Sequence, residues 1–188
     1  MEQIKDWNEL RDKAHKNAIL HGFYEDNPSQ EHWLCLIVSE LMESVESHRK
    51  GKRVIPELLA HFKHPEDYTP GGVGFDGYFK MYIKDTVEDE LADAVIRILD
   101  LAGAYDINMN AKNRNLPMFP EEGSTYTENI YLITQELVSG NKPLAVSLNN
   151  CRMQICKLAE YMGINISWHI RNKMKYNENR PYRHGKNY

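Results

Sequence analysis

The chain has 188 residues, 41% of them hydrophobic and 27% charged, which is typical of one globular domain with a sizeable core. The net charge of −4 argues against binding to bulk nucleic acid, and no apolar run approaches the length that spans a membrane. Three cysteines without metal-site spacing, Cys35, Cys151 and Cys156, indicate reduced thiols in a cytoplasmic protein.

Two helices are predicted before Gly51. Apolar residues at helical spacing predict an amphipathic helix over 3–20. Ser29 is a suitable N-cap for a second helix over 30–50. On this second helix Glu40 and Glu43 lie three residues apart, which makes them neighbours on one face beside the apolar stripe.

The stretch over 52–82 is predicted as a long inserted connection. Pro56 begins a segment that suits a short helix, whereas residues 64–77 are rich in glycine, proline and aromatic side chains. A connection this long is either a functional lid or poorly ordered. Its glycines do not match a phosphate-binding loop, because no Gly-Lys-Ser/Thr follows them and no strand precedes them.

A third helix is predicted over 85–105, with Asp85 and Glu88 arranged like a capping box at its start. Glu90 and Asp93 form a second pair of carboxylates three residues apart, beside the apolar stripe of this helix. The two acidic pairs therefore occupy matching positions on two separate helices.

Two such helices side by side would bring four carboxylates into a small volume. Like charges repel strongly there unless a cation neutralises them. Hard oxygen ligands favour Mg²⁺, with Mn²⁺ or Ca²⁺ as alternatives. The sequence therefore predicts a metal site whose ligands also serve catalysis: Glu40, Glu43, Glu90 and Asp93.

Three further helices are predicted in the second half of the chain. One lies over 125–140 with a capping box at its start, one over 143–163, and a last one over 168–177, capped by Ser167. No stretch shows the period of a strand. The predicted fold is a single all-α domain over 1–188: a four-helix-bundle core with an N-terminal helix and a C-terminal basic tail.

The second helix pair, over 125–163, echoes the first pair, over 30–105. For example, Leu-Ala and Ile-Asn bracket both 101–108 and 158–165. This pattern favours an internal duplication, in which the second pair is structural and completes the bundle. The positions that correspond to the four acids are Glu136, Ser139, Ser147 and Asn150.

The motifs Glu40-Leu-Met-Glu43 and Glu90-Leu-Ala-Asp93, together with the basic tail, resemble those of the MazG-like all-α nucleoside triphosphate pyrophosphohydrolases. The resemblance covers about 30–105 and 143–186, and the duplication adds a resemblance to the dimeric dUTPases. It implies Mg²⁺-dependent cleavage of a nucleoside triphosphate, expected to be a dNTP, to the monophosphate and pyrophosphate. The connection between the two motifs is longer than is usual in that family.

The tail over 167–188 is predicted to bind the substrate phosphates. From His169 onward it carries six Arg or Lys against one Glu. Lys173 and Asn177 share a helix face, and Arg180 offers a bidentate guanidinium. In-line attack on the α-phosphorus by a water that the metal or a carboxylate activates would release pyrophosphate.

Other functions remain open at this stage. The main alternative is a non-catalytic helical interaction protein with an acidic divalent-cation site. A carboxylate-bridged di-iron enzyme is disfavoured, because such bundles use Glu-x-x-His pairs and no histidine follows Glu40 or Glu90 at that spacing. A homodimer is an open alternative to a monomer, and no membrane partner is expected.

Overall fold

The computed structural model describes residues 3–60, 74–111, 119–120 and 122–185. Within these ranges the chain is helical and contains no strand, which confirms the all-α prediction. The described elements are α1 Trp7–Leu20, α2 Gln30–Arg49, α3 Pro56–Ala60, α4 Gly74–Tyr82, α5 Val87–Ala104, α6 Tyr126–Val138, α7 Leu144–Tyr161, α8 Ile166–Glu178 and a 3₁₀ turn over Tyr182–Gly185. None of the described helices is long and apolar enough to cross a membrane.

The helices α2, α5, α7 and α6 form a closed ring in which each packs against the next, as in a four-helix bundle. Helices α1 and α8 add to this ring by packing on α5. Because α5 has neighbours on several sides, it is buried along most of its length, including Leu91, Val95 and Ile98. At Gly103 an added Cβ would lie 2.4 Å from the Cβ of His15, so the glycine lets α1 approach α5 closely.

Two predicted helix starts are confirmed. The Ser29 hydroxyl accepts a hydrogen bond from the His32 amide at the start of α2. Thr125 and Glu128 form a reciprocal capping box at the start of α6. These caps depend on residues within one turn, which is why the sequence pattern was sufficient to locate them.

Two other predicted caps are wrong. Thr86, not Asp85, caps α5, and its hydroxyl accepts from the Asp89 amide at 3.3 Å. Glu88 does not complete a capping box there, because its carboxylate binds Arg53 Nε at 2.6 Å and accepts from the Val54 amide. At α8 the cap is Asn165, two residues before the predicted Ser167.

The connection over 52–82 contains one helix that the composition did not indicate. Helix α4 begins at Gly74, inside the stretch that was predicted as a loop, and residues 61–73 lie outside the described part. Phe79 of α4 is fully buried and stacks on Tyr176 of α8, with ring centroids 4.5 Å apart. Burial against a distant helix therefore stabilises α4 despite its glycine-rich start.

In each helix pair, the two positions that the predicted duplication matches lie close together. Asn150 of α7 donates a hydrogen bond to Glu136 of α6 at 2.8 Å. The corresponding positions on α5 and α2 are Asp93 and Glu40, which also approach each other. The second pair thus repeats the contact with an amide in place of one carboxylate.

Candidate functional site

Three of the four predicted acids meet where α2 packs against α5. Carboxylate oxygens of Glu40, Glu90 and Asp93 all lie within 4.8 Å of one another. Glu40 and Glu90 are each only 4% exposed, although polar side chains of this kind are rarely buried without partners. Such a group of hard oxygen atoms could hold a metal ion.

Glu43, the fourth predicted acid, occupies a different position. It lies one turn along α2 from Glu40, is exposed, and lines the cleft that the three acids open into. It makes no ion pair with another residue in the described ranges. Glu43 is therefore at the rim of the acid cluster rather than within it.

Lys173 of α8 reaches into the acid cluster. Its Nζ lies 2.8 Å from Asp89 Oδ2 and 2.9 Å from Asp93 Oδ2, and its side chain is 4% exposed. Asp89 is almost completely buried and was missed as a site residue. The available signal was its place in the acidic run between Asp85 and Asp93, directly before Glu90.

Arg97 closes the cluster on the opposite side, where its Nε binds Glu40 Oε1 at 2.5 Å. Even with both cations counted, the site is short of positive charge. If all four carboxylates were ionised, they would face two cations and leave an excess of two negative charges, the charge of one divalent ion. The groups in this balance are Glu40, Asp89, Glu90 and Asp93 against Lys173 and Arg97.

The pKa values of the acids reflect this imbalance. Burial, followed by repulsion from Asp89 and Asp93, raises the pKa of Glu90 to about 9. Burial and the Asp93 charge also raise the pKa of Glu40. Asp93 is partly buried, but Lys173 and Arg97 hold its pKa below the ordinary value. A proton on Glu90 and a bound cation are thus competing ways to neutralise the cluster.

Three further tail residues line the same cleft. Asn177 lies one turn after Lys173, its Nδ2 is 3.5 Å from Asp93 Oδ1, and its buried Oδ1 has no hydrogen-bond partner in the described ranges. Arg180 is partly exposed and donates to the backbone carbonyl of His184 at 3.2 Å. The structure therefore brings all the predicted tail residues to the acid cluster and adds His184.

The far end of the cleft is apolar. Its walls come from α1, the α1–α2 turn and α2, and the side chains are Ala14, Ala18, Phe23 and Trp33. Trp33 is held by a stacked Tyr24, with ring centroids 4.7 Å apart. At the floor, Asp100 accepts a hydrogen bond from the Tyr24 hydroxyl at 2.7 Å and contacts His15 Nδ1 at 2.9 Å.

Comparison with known proteins identifies no relative of this chain. No protein-family model matches it, and neither a curated protein nor a solved structure does.

Stabilisation of the fold by a divalent cation should increase with pH. The pKa of Glu90 is raised from 4.5 to about 9 in the folded protein. The stability that the protonated side chain contributes is therefore complete below a pH of about 4.5 and is lost as the pH rises through about 9. A cation that displaces this proton restores the loss. We expect MgCl₂ to raise the melting temperature more at a pH of about 8 than at a pH of about 6, measured by thermal denaturation.

The matched variant for this measurement is Glu90→Gln, which removes the titrating group but keeps its size. Its melting temperature should depend less on pH and respond little to MgCl₂. An equal response of the wild type and the variant to the cation would remove Glu90 from the cation site.

Proposed function

We propose that this protein is a divalent-cation-dependent nucleoside triphosphate pyrophosphohydrolase of the MazG-like type, acting in nucleotide metabolism. One observation carries the proposal: a buried cluster of three carboxylates opens into a cleft whose other polar wall is the basic α8 and the turn after it. A ligand that carries both a metal ion and phosphates matches this pairing of opposite charges.

Different residues of the cleft would bind the cation and the phosphates. Glu40, Glu90 and Asp93 would hold Mg²⁺, or Mn²⁺ as the alternative, which supplies neutralisation of the triphosphate and polarisation of its phosphorus. Arg180 would bind a phosphate oxygen with its guanidinium, and the free Oδ1 of Asn177 would fix an ordered water or a substrate hydroxyl.

Lys173 would act by setting the charge and orientation of Asp93 as well as by reaching phosphate. Its ion pair with Asp93 holds that carboxylate ionised and in place, and its second ion pair is with Asp89. Glu43 makes no ion pair in the described ranges, which leaves it as the carboxylate to take the proton from the attacking water at the rim of the cluster.

The apolar end of the cleft would receive the base. Trp33 and Phe23 offer aromatic faces, and the small side chains of Ala14 and Ala18 leave room between α1 and α5. We further propose a cytoplasmic location, because Cys35, Cys151 and Cys156 are all free thiols.

The experiment is release of pyrophosphate from a panel of dNTPs, with MgCl₂ and with a chelator in excess. We expect turnover of at least one dNTP that the chelator abolishes and added Mg²⁺ restores. Cation binding without pyrophosphate release from any member of the panel would instead favour the alternative, a helical interaction protein with an acidic cation site.

A further inference from the structure

The 180–185 segment, here called the strap, is fastened to the turn between α1 and α2. Arg183 makes most of the contacts. Its amide donates to the His21 carbonyl at 2.8 Å, its Nε donates to the Gly22 carbonyl at 3.1 Å, and its Nη2 lies 2.6 Å from Asp26 Oδ2. One side chain thus joins two parts of the chain that are far apart in sequence.

Tyr182 adds a second fastening. Its hydroxyl donates to Glu25, and its ring fills the space beside Gly22, where an added Cβ would lie 2.1 Å from the ring. Gly22 also has a φ of +78°, which a glycine adopts without strain. The close approach of the ring therefore requires glycine at this position.

The fastened strap presents His184 to the cleft. The imidazole packs edge-on against Phe23, with ring centroids 4.9 Å apart, and its buried Nε2 has no hydrogen-bond partner in the described ranges. Arg183 and His184 have φ values of 45° and 51°, a left-handed conformation that is uncommon for two such residues in succession. External contacts are needed to hold such a conformation, and the Arg183 side chain supplies them.

We propose that the strap is a substrate-contacting wall of the cleft, in which His184 Nε2 hydrogen-bonds the nucleoside part of the triphosphate and Arg183 is the positioning residue. The proposal rests on the proposed function. The nucleoside is favoured over the phosphates because His184 packs on Phe23, one of the apolar side chains that line the cleft. A buried polar nitrogen without a partner is also costly unless a ligand satisfies it.

The first test measures the fastening without substrate. In Arg183→Leu, amide hydrogen exchange of the strap should become at least about tenfold faster, because the side-chain contacts to the Gly22 carbonyl and to Asp26 are lost. Arg183→Lys should recover part of the protection. The control is Arg49→Leu, which removes an exposed arginine at the end of α2 whose ion pair with Glu46 is longer, at 3.7 Å. Exchange that is unchanged in Arg183→Leu would overturn the proposal.

The second test measures substrate affinity. We expect Arg183→Leu and His184→Phe each to raise KM about tenfold with kcat within about threefold, and His184→Gln to stay near wild type because an amide can replace the imidazole hydrogen bond. Arg49→Leu should leave both constants unchanged. Normal KM values in Arg183→Leu and His184→Phe would overturn the strap proposal alone. A wild type that neither hydrolyses any dNTP nor binds an α,β-imido analogue would overturn the proposed function, and the role of His184 with it.

Discussion

Replacing Glu40 by Gln should reduce pyrophosphate release at least about 100-fold while the bundle stays folded. Glu40 is one of the three carboxylates that meet within 4.8 Å, and the amide of Gln is a much weaker ligand for a hard cation. The Gln oxygen can still accept the hydrogen bond from Arg97. We therefore expect a melting temperature within about 3 °C of wild type in the absence of divalent cations.

The duplication predicted from the sequence suggests a matched control at Glu136. This residue occupies the position on α6 that corresponds to Glu40 on α2, and it is held by Asn150 and Lys142. Glu136→Gln is the same chemical change at an equivalent place in the bundle. It should leave turnover within about twofold of wild type, because it belongs to no cluster of carboxylates in the described part of the chain.

Rates of pyrophosphate release under saturating MgCl₂, together with thermal melts, separate the outcomes. Full turnover in Glu40→Gln would place the chemistry elsewhere in the molecule. An equal loss in Glu136→Gln would show instead that both substitutions act through the packing of the bundle.

Replacing Lys173 by Met should lower the free energy of unfolding by about 3–5 kcal/mol. The reason is Asp89, which is 1% exposed and has Lys173 as its cationic partner. Burial raises the pKa of Asp89 to about 6, although the Lys173 charge acts to lower it. Without that charge the buried carboxylate must either stay unpaired or take up a proton.

Urea denaturation without divalent cations measures this effect, and a second substitution identifies its cause. The double variant Lys173→Met with Asp89→Asn should recover much of the lost stability, because the buried charge is removed with its partner. Lys13→Met is the control, since Lys13 pairs with Glu9 on the exposed face of α1 and its loss should cost less than about 1 kcal/mol. A Lys173→Met variant as stable as this control would contradict the buried ion pair.

Lys173 is therefore expected to act both in stability and in substrate binding, which affects how the tail is tested. Lys173 was predicted from the sequence as a phosphate-binding residue, and in the structure its ammonium group is bound to Asp89 and Asp93. Arg180 is partly exposed and makes no ion pair in the described ranges. Arg180→Ala should therefore weaken substrate binding without the loss of stability that Lys173→Met produces, which kinetics and melts on the same samples will distinguish.

The sequence by itself determined the helices and the acidic pairs. The spacing of apolar residues along α2 and α5 predicts which face of each helix is buried, and Ser29 and Thr125 locate two helix starts, since these features involve residues within one or two turns. The same spacing placed Glu40 beside one apolar stripe and Glu90 beside the other. A common site therefore followed once two helices were assumed to pack side by side.

Only the tertiary structure decided which charges meet. The pair between Lys173 and Asp89 joins residues 84 positions apart, and Arg183 of the strap reaches Gly22 across 161 positions. Helix α4 forms inside a glycine-rich stretch because Phe79 is buried against Tyr176. Periodicity and capping depend on neighbours along the chain, whereas these contacts depend on how α8 and the strap pack against α5 and α1, and no local pattern contains that information.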